Sequence, residues 1–282
     1  MVRLLGIGDN TVDIYETEGM QYPGGNAVNV AVQVRRAGAA ASYLGCLGRD
    51  ALGRLVHDSL VAEGVDVSHV RWRDGPNPWS RIRHEGADRR FAGSDRGVRD
   101  RYDLGAGDAA FVAAHDIVHT SVHSDLDAHI AWLRQHARVL TYDYSEHWQR
   151  PGVAATFASV DIAFLSASGR DVADCEALLR AARAAGAGLA VATRGAAGAC
   201  ALEGDRFISV SAPPARVVDT LGAGDGFIAG FLVAWLRGAE VAACLAIGAA
   251  QAAEVCGTKG GFGHGVPIGD VDHANNKHKE CG

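Results

Sequence analysis

The sequence predicts an α/β fold built on a mostly parallel sheet with helices on both faces. Three observations carry that expectation. Short apolar runs bounded by turn residues alternate with stretches of helical periodicity along most of the chain. The 282 residues are 48% hydrophobic, which is ample for a large core in one large domain or two small ones. Thirty-six glycines against 7% aromatics point to many tight turns and close backbone approaches.

The elements follow in order. Residues 3–8 read as a buried strand, residues 26–37 as a helix and residues 42–47 as a second strand. Asp50 is placed to cap a helix running to Glu63, with Leu52, Leu55, Val56 and Leu60 on one face. Further strands are expected at 116–120, 139–143, 162–166 and 189–193, with a helix at 171–185 between the last two. Residues 71–101 differ, holding nine arginines and five acids. Alternation in "WSRIRHEGADRRFAG" predicts a hairpin of 80–84 against 89–92, turning at 85–88, either a lid over the sheet or a charged surface hairpin. From Pro267 the chain is polar and unpatterned, and is expected to be a disordered tail.

Composition excludes several function classes. The formal net charge of −6 argues against nucleic acid as a partner. The lysines are Lys259, Lys277 and Lys279, so a mechanism built on a P-loop or catalytic lysine in the first 258 residues is excluded. Six scattered cysteines without a CxxC pair fit reduced thiols in a cytoplasmic protein. The N-terminus lacks the pattern of a signal peptide, and no uncharged apolar run approaches the ~18 residues of a membrane span.

The pentapeptide LGAGD occurs twice, at 104–108 and 221–225. The second copy follows a β-branched pair and opens a long apolar helix. Gly222, Ala223 and Gly224 there can turn backbone N–H groups toward one point at the positive end of the helix, which makes an anion site. Asp225 at its edge is suited to accept a proton from a hydroxyl attacking a bound phosphate, the plainer alternative being a helix cap. The first copy precedes only about two turns of helix, and Asp108 reads as a first-turn acid stabilised by the dipole.

Other constellations lie at strand ends. "GIGDNTVDIY" has Thr11 where a dinucleotide fingerprint needs its third glycine, so that reading fails. It leaves Asp9, Asn10 and Asp13 beyond the carboxyl end of a strand, where acids and amides suit sugar hydroxyls or make an ordinary turn. In "PGGNAVNVAV", Gly24 and Gly25 precede a helix with Asn26 and Asn29 on one face, able to grip a polyol or simply to start the helix. "VATRGAAGACAL" ends a strand at Thr193, with Gly195 and Gly198 in a turn suited to nucleotide phosphates or ribose. His115, His119 and His123 recur at four-residue spacing. On a helix they could bind metal, but "DIVHTS" reads as strand, which places His119 and His123 near the substrate mouth instead.

Taken together, these segments resemble the ribokinase-like (PfkB) family of carbohydrate kinases over about residues 2–265. "GGNAVNVAVQVRRAGAAASYLGCLG" and "DTLGAGDGF" carry the likeness. "GDNTVDIY", "GVDVSHV", "DIVH" and "DTLGAGDGFIAGFL" are most similar to its fructoselysine 6-kinases, which phosphorylate the 6-hydroxyl of an amine-linked fructose.

The resemblance implies a single kinase domain over 1–265, with lid segments at about 10–25 and 70–102 and a tail at 266–282. It implies ATP with Mg²⁺, a small sugar acceptor, and in some members a homodimer through the lid. Asp225 would be the catalytic base, and Gly222, Ala223 and Gly224 the anion hole. Asp9, Asp13, Gly24, Gly25, Asn26 and Asn29 would hold the sugar, and Thr193, Gly195 and Gly198 the ATP. Asp219 would join a monovalent-cation (K⁺) site. One departure stands out: Ser166-Ala167-Ser168-Gly169 occupies the place of the family's Asn-x-x-Glu. Metal organisation is therefore left to water, Asp143, Asp171 or Asp174.

Overall fold

A computed structural model describes residues 2–85, 88–99, 102–150 and 152–269. In chain order the first elements are β1 (Arg3–Ile7), β2 (Thr11–Tyr15), β3 (Met20–Gly24), α1 (Asn26–Arg36), β4 (Ala40–Leu44), β5 (Cys46–Gly48) and α2 (Ala51–Ala62). There follow β6 (Arg71–Arg73), β7 (Trp79–Glu85), β8 (Asp88–Asp95), α3 (Ala106–Ala113), β9 (Ile117–Ser121), α4 (Ile130–His136) and β10 (Leu140–Asp143). The remainder is β11 (Ile162–Ser166), α5 (Val172–Ala184), β12 (Leu189–Thr193), β13 (Ala199–Glu203), β14 (Arg206–Val210), α6 (Ala223–Leu236), α7 (Val241–Val255) and β15 (Val266–Pro267).

The main sheet has the order β14-β13-β12-β11-β10-β9-β1-β4. Pairing is parallel from β4 to β12 and antiparallel at β12–β13 and β13–β14. Alternation along the strands splits the apolar side chains into two cores. Leu4, Ile162 and Phe164 join the cluster formed with α1, α2, α6 and α7. Leu5, Ala163 and Leu165 join the cluster formed with α3, α4 and α5 on the opposite face. Strand order reverses between β1 and β9, so a crevice opens at their carboxyl ends, the usual ligand side of such sheets.

Gly6 allows α1 to lie directly on β1. A Cβ there would come 2.5 Å from the carbonyl oxygen of Ala27, a contact that only a side chain of hydrogen permits. The first turn of α1, with its two asparagines, is thereby set at the crevice.

Beside the main sheet lies the expected lid, a five-stranded sheet of order β15-β3-β2-β7-β8. The hairpin is present as β7 against β8, longer than expected, with a register shift between Arg81 and Ile82; its turn at 86–87 lies outside the described residues. Three other expectations change. The strand expected at 42–47 breaks at Gly45, because Cys46–Gly48 leaves the main sheet to pair with β6. The edge hairpin β13–β14, turning at Gly204, has no counterpart in the sequence reading. The tail expected from Pro267 starts inside structure, since Val266–Pro267 pairs with Met20–Gln21 of the lid; residues 270–282 lie outside the described residues. Among the described residues no helix is long and apolar enough to cross a membrane.

The Gly6 contact has a measurable consequence. Gly6→Ala should lower the unfolding free energy by about 1–3 kcal/mol through overpacking against the α1 backbone. Gly107→Ala, in α3 where a Cβ meets nothing within 4 Å, should raise it by roughly 0.5–1 kcal/mol. Urea titration checks both, and equal effects of the two would refute the packing argument.

Candidate active site

A cavity of about 1140 Å³ runs from the lid to the turn after β12. Its floor is the first turn of α6. Gly222, the residue before this helix, has φ 77°, and a Cβ on it would lie 2.6 Å from Gly261 Cα. The first helical bond runs from Gly226 N–H to the Gly222 carbonyl at 2.9 Å. The N–H groups of Gly224 and Asp225 precede it, so helix geometry points them out of the positive end. Ala223, expected to contribute a third donor, turns its N–H back to the Thr220 carbonyl in a 3.3 Å contact. A Cβ built on Gly224 would meet no other segment within 4 Å, and Gly224 and Asp225 both line the cavity.

Asp225 sits half-buried in this wall. Asn26 Nδ2 donates to its Oδ1 at 2.7 Å, and Asn29 Nδ2 to its Oδ2 at 2.6 Å. Asn26 Nδ2 also donates to Asp143 Oδ2 at 2.9 Å, so one amide bridges two carboxylates. Behind it the Asn26 carbonyl meets His119 Nε2 at 3.1 Å, and His119 Nδ1 meets Thr141 Oγ1 at 2.8 Å. Burial lowers the His119 pKa to about 3, which keeps the ring neutral. A neutral ring that donates from Nε2 accepts at Nδ1, and this holds the Asn26 amide nitrogen toward the acids.

Burial also raises the Asp225 pKa well above the ordinary carboxylate range; the Asn29 hydrogen bond opposes the rise and the neighbouring Asp143 and Asp9 add to it. Asp143 is pushed up to about 6, again first by burial, against a hydrogen bond from the Ser145 backbone. Asp143 is therefore poised to take up a proton near pH 6, and Asp225 binds a proton more firmly than an ordinary carboxylate.

The other expected residues are distributed unevenly. Asp9 lines the cavity, but its carboxylate is heavily engaged: Oδ2 accepts from Asn26 N–H at 2.7 Å, and Oδ1 from Ser124 Oγ at 2.8 Å, Ser121 Oγ at 3.2 Å and Ala27 N–H at 3.3 Å. It caps α1 rather than presenting an open charge. Asp13 and Gly25 line the cavity. Gly24 does not; it makes room, since a Cβ there would sit 2.7 Å from Asp13 Oδ2. Thr193, Gly195 and Gly198 line the opposite end.

Asp219 is off the cavity. Tyr15 Oη donates to its Oδ2 at 2.6 Å, Gly260 N–H to the same oxygen at 3.0 Å, and Leu221 N–H to Oδ1 at 3.0 Å. Three protein donors thus meet this carboxylate, which ties the lid to the approach to α6.

Of the acids considered for the metal, Asp143 lines the cavity, whereas Asp171 is exposed and caps α5 through Asp174 N–H at 2.8 Å. Among the described residues no group of three or more His, Cys, Asp or Glu could hold a metal ion, and His115, His119 and His123 form none. His115 instead meets Ser42 and the Phe111 carbonyl, and His123 lines the cavity. Asp108 Oδ2 accepts from Gly105 N–H at 3.1 Å at the start of α3, and its Oδ1 accepts from Arg71 Nη2 at 2.6 Å, away from the cavity.

Sequence reading missed that Val217 and the alanines Ala249, Ala252 and Ala253 of α7 line the same cavity as Thr193. Small residues on a helix look like ordinary core, so the one available signal was the clustering of alanines. A helix end with outward N–H groups, a carboxyl held by amides and this apolar lining share one cavity of an α/β fold, the arrangement suited to a phosphotransferase.

Comparison with known proteins agrees. The model of the pfkB family of carbohydrate kinases matches residues 4–266. The chain is 36% identical to the fructosamine kinase FrlD of Bacillus subtilis (strain 168), covering 94% of this chain and 95% of that one. It is 35% identical to the fructoselysine 6-kinase of Escherichia coli (strain K12), covering 90% and 97%. Its fold matches an Arabidopsis thaliana ribokinase complexed with ribose and ATP at TM-score 0.80 and 21% identity, covering 93% and 94%. It also matches a putative E. coli ribokinase II in complex with ATP and Mg²⁺ at TM-score 0.79 and 19% identity, covering 93% and 95%. The chain belongs to the pfkB family of carbohydrate kinases, which are ATP-dependent phosphotransferases.

Asp143 generates a pH signature. Its folded pKa lies above the unfolded value, so the folded state binds the extra proton. The ionised form therefore costs stability, increasingly as pH rises from about 4 to about 6, by at most about 3 kcal/mol. In melts of ligand-free protein, Asp143→Asn should gain stability relative to wild type across that window and hold the gain above it. A difference that stays flat or shrinks with rising pH would contradict the assignment.

Proposed function

We propose that the protein transfers the γ-phosphoryl group of ATP to the 6-hydroxyl of fructoselysine or a related fructosamine. One observation carries the phosphotransfer: Asp225, its pKa raised, is held by two amides in an open wall beside outward-pointing helix N–H groups. The acceptor class is supported by full-length similarity to fructosamine and fructoselysine kinases at about 35% identity.

In this reading the sugar lies between Asp13, Gly25, Asn26 and Asn29, with Asp9 and Gly24 shaping that wall. The nucleotide lies across Thr193, Gly195 and Gly198 with its base against the alanines of α7. Asp225 removes the proton of the 6-hydroxyl as that oxygen attacks the γ-phosphorus in line. The bond to the bridging oxygen breaks, and ADP departs with the electron pair. The N–H groups of Gly224 and Asp225 at the start of α6 face the charge spread on the phosphoryl oxygens, with Gly222 and Ala223 forming the turn that exposes them. The donor set offers no carboxylate cage for Mg²⁺, so the ion would be held chiefly by the nucleotide's phosphates, with Asp143 within the same cavity. When bound it supplies neutralisation of phosphate charge that a site without lysine lacks. Closure of the lid excludes water from the transfer.

A coupled assay with fructoselysine, other fructosamino acids, fructose, ribose and a nucleoside tests the substrate. Stronger turnover of a nucleoside or ribose than of any fructosamine defeats the choice. Asp225→Asn should keep ATP and sugar binding while losing about 10²–10⁴-fold in kcat. Asp108→Asn should leave kcat nearly unaltered. The base must be ionised, so kcat should fall as pH drops through an apparent pKa above the usual carboxylate range.

A further inference from the structure

The cavity has a charged corner that phosphotransfer does not use. Arg96 and Arg99 line it at the lid end, just beyond β8. Both guanidinium groups meet one carboxylate oxygen: Arg96 Nη2 lies 2.6 Å from Asp125 Oδ2, and Arg99 Nε and Nη2 each lie 3.1 Å from it. A guanidinium presents five donors, and one oxygen cannot use up two such groups. Asp125 has φ 56°, one of three non-glycine residues with positive φ among the described residues. It directly follows Ser124, whose hydroxyl donates to Asp9. The arginine pair is therefore built into the acceptor wall, one residue from the cap of α1.

No other arginine or lysine lines the cavity among the described residues. The charge follows β8 at the edge of the lid sheet, whereas the turn at Thr193–Gly198 belongs to the main sheet, and the same cavity is lined by many acids. Asp9, Asp13, Asp143 and Asp225 all line that region and would repel an anionic group on the acceptor. Asp95 lines the same corner, and its Oδ1 accepts from Gly97 N–H at 2.8 Å. Trp79 and Pro78 of the lid offer an apolar surface there for an aliphatic stem. The corner thus suits a molecule with a polyol at one end, an amine near the acids and an anion beyond.

We infer that Arg96 and Arg99 form a subsite for the carboxylate of the acceptor's amino-acid half. The enzyme then selects fructosyl amino acids over simple fructosamines and free fructose. This rests on the fructosamine reading above. A planar carboxylate meets the guanidinium fork by paired N–H···O bonds, which discriminates against a carboxamide of the same shape.

The test compares kcat/KM for fructoselysine, its α-carboxamide, fructose and fructose 6-phosphate. The proteins are wild type, Arg96→Gln, Arg99→Gln and Arg99→Lys. Wild type should favour the acid over the amide by roughly 10- to 100-fold. That ratio should collapse toward one in both glutamine variants, chiefly through KM for the acceptor, and survive in part in Arg99→Lys. Arg96, with a side chain 58% exposed, carries the test if Arg99→Gln does not fold. Equal efficiency with acid and amide in wild type, or an unaltered ratio in the folded variants, overturns the subsite alone. A raised KM for ATP in the variants reassigns the arginines to the nucleotide, and preference for fructose 6-phosphate reassigns them to a phosphate; either overturns the inference. Turnover of fructose or ribose with none of any fructosamine defeats the substrate reading and the subsite with it.

Discussion

The clasp between α1 and α6 is the interaction on which the site depends. Two asparagine amides, one turn apart on α1, each donate to one oxygen of Asp225 at the start of α6. Neither helix end could be placed there alone. Gly6 lets α1 rest on β1, and Asp9 satisfies the first N–H groups of α1. Gly222 turns the chain into α6 at a backbone angle that other residues resist. The two helices then pack on one face of the sheet around Phe227, Phe231 and the valines of α1. The apolar core thus holds polar atoms in register, and burial gives their hydrogen bonds weight.

That register has an electrostatic cost. Asp9, Asp143 and Asp225 gather around the start of α1; the charge of Asp9 makes Asp143 and Asp225 harder to ionise, and that of Asp143 adds to the effect on Asp225. Amides and hydroxyls offset part of it, and neutral His119 orients the shared amide without adding charge. The result is a carboxyl with a proton affinity above that of an ordinary aspartate, as a general base for an alcohol requires. Stability and function pull in opposite directions at this point, the common pattern of active sites.

Much of this was legible in the residues. Periodicity disclosed the parallel strands and the helix faces. The glycine turn before a long apolar helix marked Asp225, and the same pentapeptide before a short helix marked Asp108 as structural; its bonds from the Gly105 N–H and Arg71 give that contrast its physical content. Where the reading failed, long-range pairing had intervened. Cys46–Gly48 pairs with a strand some 25 residues away, and Val266–Pro267 joins strand β3 about 245 residues before it. Pattern within a window cannot see such partners.

By itself the sequence determined which residue types could do the chemistry and in which local setting, because helix ends, turns and strand faces follow from nearby spacing. Tertiary structure alone decided which of those groups share a cavity. It placed Gly24 behind the cavity wall, set Asp219 between the lid and α6, and tied up Asp9 in capping. It chose Asp143 over Asp171 for the cavity, and it drew in the alanines of α7 and the Arg96–Arg99 corner, which no motif announces. Proximity across the switch in strand order depends on how the layers pack, and that is set by the whole core rather than by any one segment.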